Sequence, residues 1–576
     1  PIFWTVVFFA AFYAVHLGWR ARGFDGDSSI LPVLLLLTAI GLILMVSLRD
    51  PLRDTLTFVN FAQGVAGGCL LMLALSFVDF GRRFAGYSFV PLAASFLLSA
   101  ALIVFGSGPG ASDAKVNLLG AQPVEAIKIL LVLFLAGYFA RNWEFLRELR
   151  EKHPAFEKLG RHIEIPRLEY VLPVLVSIGL VLVFFFLQKD LGPALVFSCV
   201  FLALYAVARN RFQLAAAGFA LLVGGFAIGY LAGYPRTVSG RVEMWLSPWD
   251  NAVRGGDQVV HSLWALSTGG ITGTGAGLGE PGMVPAAATD LILSALGEEF
   301  GFVGIVAVYL LYAVLLWAGT RIALRAPSDY AFFLSLGLVL LTGVQVLLIS
   351  GGILDLLPLS GVVTPFLSYG RTSMLANFAI FAILLSISRQ ARDPGRAAPF
   401  RQPVKWVGVG LIACAAVVLG KAGYVQVARA DAVTGAGALV LQADGARRFQ
   451  YNPRILEVAA RIPRGAINDR HGLPLATSSF QDLEDSRAQF AAVGIDIDTL
   501  DRGGRRLYPL GPAAFHLLGD LRTRAGWGAR NNSFAERDST VQLQGYDDRA
   551  RAVEVTDPRT GKSSWTIRYD YRELLP

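Results

Sequence analysis

The first 427 residues alternate between long apolar runs and short polar joints. Each run is close to the ~20 residues that a helix needs to cross a bilayer. The residues after 427 instead have the mixed composition of a soluble domain. The pattern predicts a polytopic, all-α membrane bundle with a separate soluble module behind it. The predicted spans are 2–19, 30–48, 58–78, 86–106, 124–140, 169–187, 191–208, 212–232, 291–318, 330–350, 365–388 and 405–427.

Composition supports a membrane protein. Of the 576 residues, 54% are hydrophobic and 16% are charged, whereas soluble domains carry about 25% charged residues. A soluble enzyme and a disordered chain are therefore excluded as classes, and the 3 Cys are too few for a disulfide scaffold. The net charge of +8 would suggest nucleic acid in a soluble protein, but in a membrane protein it reflects basic cytoplasmic loops.

The distribution of basic residues among the joints supports the interpretation as a membrane protein. If the joint after 30–48 lies outside, the positive-inside rule places 233–290, 351–364 and everything after 427 outside the cytoplasm. No nucleic acid partner is then expected. The inside joints contain Arg20, Arg22, Arg82, Arg83, the basic loop 141–168, Arg209, Arg211, Arg321, Arg325, Arg389, Arg392, Arg396 and Arg401.

Four polar clusters interrupt the apolar part, at 122–128, 188–193, 233–301 and 357–373. Charged side chains within a span cost roughly 2.5–3.5 kcal/mol at its centre and usually serve a function. Non-helical backbone at membrane depth survives only inside protein or beside a cavity. Since the topology assigns all four clusters to the outer side, we expect one polar cavity that faces outward.

Each cluster also has a purely structural interpretation. Glu125 and Lys128 share a helix face and could form a structural ion pair. The tight turn at 188–193 could be a simple polar hairpin, and Asp290 could be a helix cap. The glycine-rich run 267–279 could approach a phosphate, but no strand precedes it, as a nucleotide-binding loop would require.

The clusters resemble the motifs of the SEDS family, the relatives of RodA, FtsW and SpoVE, in order along residues 30–390. Lys189 stands where the family usually has proline, and Arg371 where it usually has glycine. The matching residues are Gln122, Pro123, Glu125, Lys128; Gln188, Asp190, Leu191, Gly192; Arg236, Arg241, Pro248, Asp250; Pro285, Thr289, Asp290, Leu291, Ile292, Glu298, Glu299, Gly301; and Pro358, Gly361, Pro365, Phe366, Ser368, Tyr369, Gly370 and Ser373.

The tail has a resemblance of its own, to the non-catalytic N-terminal (pedestal) module of class B penicillin-binding proteins. It rests on the stretches 452–454, 463–476 and 506–519. The tail contains no Ser-x-x-Lys, so the transpeptidase itself is absent from it. We therefore expect an extracytoplasmic α+β module. The expected domains are an extra helix at 1–29, the SEDS-like domain at 30–390, a linker and anchoring helix at 391–427, and the module at 428–576.

The SEDS resemblance implies a peptidoglycan glycosyltransferase that polymerises lipid II at the outer face of the bacterial cytoplasmic membrane, in elongation or division. It places the general base at Asp290. Arg236, Arg241 and Lys128 are candidates for pyrophosphate stabilisation, and Glu125 orients Lys128. Asp250 and Ser368 complete the expected substrate-binding residues.

The expected partners are lipid II, the membrane and a class B penicillin-binding transpeptidase in cis or in trans. A divalent cation would assist the leaving group, but the sequence contains no ligand cluster that signals one. Two other function classes remain open. A lipid II flippase would share the broken helices and buried charges, and a non-catalytic scaffold would only recruit a transpeptidase.

Overall fold

The structure is a computed structural model that divides into two compact units, Pro1–Val433 and Thr434–Pro576. Its described residues are 2–48, 56–86, 89–108, 114–148, 150–151, 165–166, 168–233, 236–390, 396–442, 444–520, 534–544, 551–558 and 560–572.

The first unit is almost entirely helical. Among its described residues, one short strand pair is formed by β1 (Arg150–Glu151) and β2 (Ile165–Pro166). Its helices are α1 (Ile2–Ala21), α2 (Ile30–Ser47), α3 (Thr57–Leu75), α4 (Phe80–Arg83), α5 (Phe89–Phe105), α6 (Val124–Glu148), α7 (Leu168–Leu187), α8 (Leu191–Arg209), α9 (Gln213–Leu231), α10 (Arg236–Leu246), α11 (Gln258–Gly269), α12 (Ile292–Ala323), α13 (Asp329–Ile353), α14 (Arg371–Ser388), α15 (Arg401–Gly423) and α16 (Ala430–Thr434).

All twelve predicted spans correspond to helices. Within the described ranges, ten helices are long and apolar enough to cross a membrane, and α5 is a shorter apolar helix. The remaining prediction, 124–140, is the 25-residue helix α6. The chain is therefore a multi-pass membrane protein with a mainly helical fold.

The helices differ from the predicted continuous spans at three places, each for a local reason. The span predicted at 365–388 becomes helical only at Arg371, because Phe366 adopts a φ of 65° and Gly370 is the cap. The helix α12 is broken at Gly301. In the last span, the α-helix ends at Gly423 and a π-helix, Tyr424–Ala428, follows it directly.

Burial separates central from peripheral helices. Helix α13 is buried along almost its whole length, and the middle of α6, from Leu131 to Ala136, is buried as well. In contrast, α9 buries only Ala215. A helix that is apolar all round and buried belongs at the centre of a bundle, whereas an exposed apolar helix belongs against lipid. The central pair α6 and α13 bears part of the candidate site.

The joints predicted for the cytoplasmic side contact one another and form what we call the arginine-rich face. Arg321 pairs with Asp27, and Arg389 pairs with Asp25 at 3.3 Å. Arg141 donates to the carbonyl of Ala85. Predictions for Arg392 and most of 141–168, and for the side chains of Arg82 and Arg83, lie outside the described residues.

Helix α15 is joined to the bundle at this same face. The ring of Phe400, which immediately precedes α15, stacks on Phe332 with centroids 4.4 Å apart. Arg396 pairs with Asp329 at 3.1 Å, and Asp329 also accepts a hydrogen bond from the indole of Trp143. These contacts hold the start of α15 to the ends of α6 and α13.

The second unit contains short helices and antiparallel strand pairs. A charged cluster lies in its interior: Glu536 accepts from Arg464 at 2.9 Å and from Arg506 at 2.7 Å, and all three side chains are buried. The strands pair as β3 (Ala438–Leu441) with β4 (Arg447–Gln450), β5 (Ile467–Asn468) with β6 (Pro474–Ala476), and β7 (Arg551–Thr556) with β8 (Ser563–Arg568). Its helices are α17 (Pro453–Arg461), α18 (Phe480–Asp485), α19 (Arg487–Ala492), α20 (Phe515–Leu518), α21 (Ala535–Asp538) and α22 (Thr540–Gln544).

Candidate functional site

A buried ion pair lies in the first turns of α6. Glu125 Oε1 and Lys128 Nζ are 2.9 Å apart, as their i,i+3 spacing on a helix allows. Lys128 also donates to Gln345 Oε1 of α13 at 3.1 Å, and Gln345 Nε2 donates to the carbonyl of Val363 at 2.7 Å. The pair is thus connected through α13 to the loop between α13 and α14.

Asp190 lies in the turn between α7 and α8. Lys189 before it adopts a φ of 57°, which proline cannot reach because its ring holds φ near −65°. Gly192 after it packs on the same α13–α14 loop, where a Cβ would lie 2.3 Å from the carbonyl oxygen of Ser360. The turn therefore needs its glycine for a close approach and cannot accommodate the proline that is usual at 189.

Arg241 extends from α10 to that loop. Its NH1 donates to the carbonyl of Ser360 at 3.0 Å. Gly361 has a φ of 69°, and a Cβ there would be 3.0 Å from Arg241 NH2. The bare backbone at Gly361 therefore lets the guanidinium lie against the loop.

Asp290 is held just before α12. The cap of α12 is Leu291, and no side chain caps that terminus, so Asp290 does not serve as a helix cap. Ser368 Oγ donates to the carbonyl of Thr289 at 2.6 Å and accepts from the amide of Thr364 at 2.9 Å. Ser368 thus ties the backbone beside Asp290 to the α13–α14 loop.

These groups share one electrostatic environment. Burial raises the pKa of Asp190 to about 6; the charges of Arg241 and Lys128 lower it, and those of Glu125 and Asp290 raise it. Burial likewise raises the pKa of Asp290, while Arg241 and a hydrogen bond from Thr289 lower it. Glu125, Lys128, Arg241 and Asp290 thus all lie within electrostatic range of Asp190.

Asp190 and Gln345 belong to this cluster, although they were not among the predicted site residues. The turn motif around Asp190 was visible, but a polar hairpin explained it equally well. Gln345 could have been found as a polar residue inside an otherwise apolar span.

The other predicted residues occupy different surroundings. Arg236 begins α10 and Asp250 follows its end, and both are exposed. Their contact with substrate stays a prediction. Ser368 is buried and uses its hydroxyl within the protein, so any effect it has on substrate is exerted through the backbone that it holds.

The glycine-rich run packs on the break in α12. At Gly301 φ is 64° and ψ is −165°. The amides of Thr274 and Gly275 donate to the carbonyls of Glu298 and Glu299 at 2.9 and 3.0 Å, and the amide of Phe302 returns a bond to Gly270 at 2.9 Å. This run therefore satisfies the broken helix instead of presenting its backbone to a phosphate.

Both glutamates before the break also contact neighbouring segments with their side chains. Glu298 Oε1 accepts from the amide of Glu280 at 2.9 Å, and Glu299 accepts from Ser47 at the end of α2. Both are buried, so we assign them to the scaffold of the site. In the part of the chain that the structure describes, no group of three or more His, Cys, Asp or Glu side chains is arranged to hold a metal.

Comparison with known proteins identifies the fold and its family. The sequence model of the FtsW, RodA and SpoVE family, described as cell cycle proteins, matches residues 27–393. The chain belongs to this family. The peptidoglycan glycosyltransferase RodA of Mycobacterium leprae (strain TN) is 31% identical over 411 residues, which cover 68% of this chain and 84% of that protein.

Other relatives agree with this assignment. The peptidoglycan glycosyltransferase RodA of Mycobacterium tuberculosis (strain ATCC 25618 / H37Rv) is 33% identical over 427 residues, covering 71% of this chain and 87% of its own. The stage V sporulation protein E of Bacillus subtilis (strain 168) is 31% identical over 307 residues, covering 52% and 77%.

A solved structure shares the helical fold. It is a chain from work on the structural coordination of polymerization and crosslinking by a peptidoglycan synthase complex. It matches with a TM-score of 0.50 and 26% identity, covering 63% of this chain and 98% of that chain. The predicted family is confirmed, and the chain is a multi-pass inner-membrane member of it.

Proposed function

We propose that this chain, a peptidoglycan glycosyltransferase of the FtsW, RodA and SpoVE family, polymerises lipid II with Asp290 as its general base. The observation that carries the proposal is the position of Asp290. It is a partly buried carboxylate that caps no helix and shares its environment with Arg241, Lys128 and Asp190. A base and positive charge are the two requirements of this reaction.

The chemistry is a displacement at the anomeric carbon of a lipid-pyrophosphate-linked sugar. A hydroxyl oxygen of the acceptor forms the new C–O bond and loses its proton to Asp290. The old bond from carbon to phosphate oxygen breaks, and the pyrophosphate leaves with the electron pair. Because pyrophosphate is a stable anion, it needs no proton donor, in contrast to the leaving groups of glycosidases. One carboxylate in the role of base is therefore sufficient.

The cationic residues have different parts in this proposal. Arg241 can hold phosphate oxygens with its planar guanidinium, and Ser360 keeps it directed along the α13–α14 loop. Lys128 is 2% exposed and bound to Glu125 and Gln345. It therefore acts as a point charge that lowers the energy of the departing anion, with Glu125 as its orienting partner. Arg236 and Asp250 contact the more distant parts of the substrate.

The relatives and the solved complex support the same reaction class. Two relatives are named peptidoglycan glycosyltransferases, and the similar chain belongs to a complex that joins polymerization to crosslinking. We extend this to a class B penicillin-binding transpeptidase as partner of this chain. We further propose that residues 428–576 are an extracytoplasmic, pedestal-like module that regulates the site. A short linker of this kind keeps the module at an effective concentration on the order of millimolar near the membrane domain.

The test uses purified full-length protein and lipid II as substrate. Native protein should produce glycan strands, and Asp290→Ala should reduce the rate by a factor of about 100 to 10,000, the contribution of a general base. Glu243→Gln is the matched control, because Glu243 is an exposed carboxylate on the neighbouring α10. It should retain the native rate.

Other outcomes would favour the competing functions. Equal polymer from native protein and Asp290→Ala would contradict the catalytic assignment. No polymer from either, with transpeptidase binding intact, would favour a scaffold. For the module, deletion of 428–576 should lower the polymerisation rate, and an unchanged rate would reduce the module to a spacer.

A further inference from the structure

The break in α12 creates a demand for hydrogen-bond donors at the end of the short helical segment that follows Asp290. A helix that stops leaves its last carbonyls without intrahelical partners. The nine residues 292–300 between Asp290 and Gly301 therefore end in carbonyls that other segments must satisfy. The glycine-rich run donates to two of them, those of Glu298 and Glu299.

The carbonyl of Gly297 has a different donor, which comes from beyond the matched family region. Gln426 Nε2 donates to it at 3.1 Å. Gly297 lacks a side chain that would obstruct this approach, since a Cβ there would lie 3.2 Å from Gln426 Nε2 and 2.4 Å from Leu266 Cδ2. Gln426 lies at the end of the α15 segment, whereas the family match ends at residue 393.

Gln426 occupies the π-helix Tyr424–Ala428 and is 1% exposed. Helices of this type are rare and are often found at functional sites. Among the described residues, Gln426 Oε1 has no hydrogen-bond partner. An unpaired buried acceptor lowers stability, so stability alone does not account for an amide side chain at this position. We attribute the amide to the hydrogen bond that its nitrogen donates to Gly297.

Helix α15 presents this amide from a fixed position. Its beginning is held by Phe400 and Arg396 at the arginine-rich face. Near its other end, the charge of Lys421 lowers the pKa of Asp355 in the α13–α14 loop, which burial raises to about 6. The helix is therefore anchored at its start, and near its end it buries Val418 and Ala422.

We propose that Gln426 is a positioning residue for Asp290, which makes the end of α15 an integral part of the active site. By completing the bonds of the broken helix, it holds residues 292–300 in place, and with them Asp290, which lies two positions before this segment. This inference rests on the proposed role of Asp290. It gives α15 a function in catalysis in addition to anchoring.

The decisive variant is Gln426→Met, which keeps the length of the side chain but removes the donor. We expect kcat for lipid II polymerisation to fall about 10-fold with KM changed less than 2-fold, because positioning affects the reacting geometry and not the binding of substrate. Val427→Ala is the control: Val427 lies on the same π-helix with an exposed side chain and should behave as native. A Gln426→Met enzyme with native kcat would overturn the proposal.

A second measurement does not depend on activity. Hydrogen exchange of the amides of Thr274, Gly275, Phe302 and Val303 reports whether the break is held closed. In native protein we expect slow, concerted exchange, and in Gln426→Met at least 10-fold faster exchange. Exchange in native protein as fast as in an exposed loop, or unchanged exchange in the variant, would contradict the proposal.

The two proposals fail separately. If Asp290→Ala polymerises at the native rate, the base assignment is wrong. The exchange experiment then still decides whether Gln426 holds the broken helix. If Asp290→Ala is inactive but Gln426→Met is native in both kcat and exchange, only the role of Gln426 is wrong.

Discussion

The backbone of Gly301 lies against that of Gly273 with no room for a side chain between them. A Cβ on Gly301 would be 2.4 Å from the nitrogen of Gly273, and the φ of Gly301, 64°, is itself unfavourable for other residues. We therefore expect Gly301→Ala to force the break in α12 apart and to reduce polymerisation at least 10-fold.

The measurement is the initial rate of glycan strand formation together with the thermal unfolding midpoint. Gly408→Ala is the matched control, because Gly408 lies within helix α15 and a Cβ there meets nothing within 4 Å. It should be neutral or slightly stabilising, since alanine favours helix over glycine by about 1 kcal/mol. Equal rates for the two variants would show that the close approach is dispensable.

The pH dependence of the reaction should depend on Arg241. Its charge lowers the pKa values of both Asp190 and Asp290, which burial raises. A general base must be deprotonated, so the rate falls as pH drops through its pKa. Arg241→Met removes the opposing charge, both pKa values rise, and the acid limb of kcat/KM against pH moves to higher pH.

The control for this shift is Arg241→Lys, which keeps the charge but loses the planar donors. It should lower the rate at every pH while leaving the acid limb near its native position. An unchanged acid limb in Arg241→Met would separate Arg241 from the titration of the base.

Ser368→Ala distinguishes substrate binding from positioning. The hydroxyl joins the carbonyl of Thr289 to the amide of Thr364. Its loss leaves a buried amide unpaired, which costs about 1–3 kcal/mol of stability. If Ser368 acts through the backbone beside Asp290, kcat should fall several-fold and KM should stay constant. A raised KM with native kcat would instead support the predicted contact with substrate.

The buried charges of the second unit should dominate its stability. Glu536→Gln would leave Arg464 and Arg506 without their carboxylate, and breaking a buried pair costs about 3–5 kcal/mol. Limited proteolysis of the full chain should then cleave within 464–519 much faster. Glu484→Gln is the control. It removes a half-buried partner of Arg487, and solvent-screened pairs of this kind add little to stability, so comparable cleavage of both variants would contradict the argument.

The sequence alone was sufficient to predict the helices and the grouping of charged residues around Asp290. Apolar runs of bilayer length determine where spans lie, and charges such as Lys128 inside such a run must be gathered at one place because isolated burial is unfavourable. The break at Gly301 was not foreseen, because a glycine within an apolar run is compatible with a continuous helix. Only its partner at Gly273, 28 positions earlier in the chain, makes the left-handed backbone necessary.

Other site residues were missed because their bonding partners are distant in the sequence. In the sequence, Gln345 is a single polar residue within an apolar span. Its role is apparent only in the structure, where it bonds to Lys128 and to the carbonyl of Val363. The predicted domain limits at 29, 390 and 427, and the substrate contacts of Arg236 and Asp250, stay predictions, since they depend on surfaces and ligands that local patterns do not encode.

The attachment of α15 has a consequence for how the chain could be divided. Stacking of Phe400 on Phe332, the pairing of Arg396 with Asp329 and the amide of Gln426 on Gly297 are all noncovalent. If this chain were divided into two polypeptides between α14 and α15, the two parts would therefore present the same complementary surfaces to each other. The peptide connection does not create this interface. It sets a strict one-to-one stoichiometry between the membrane enzyme and the module that follows it.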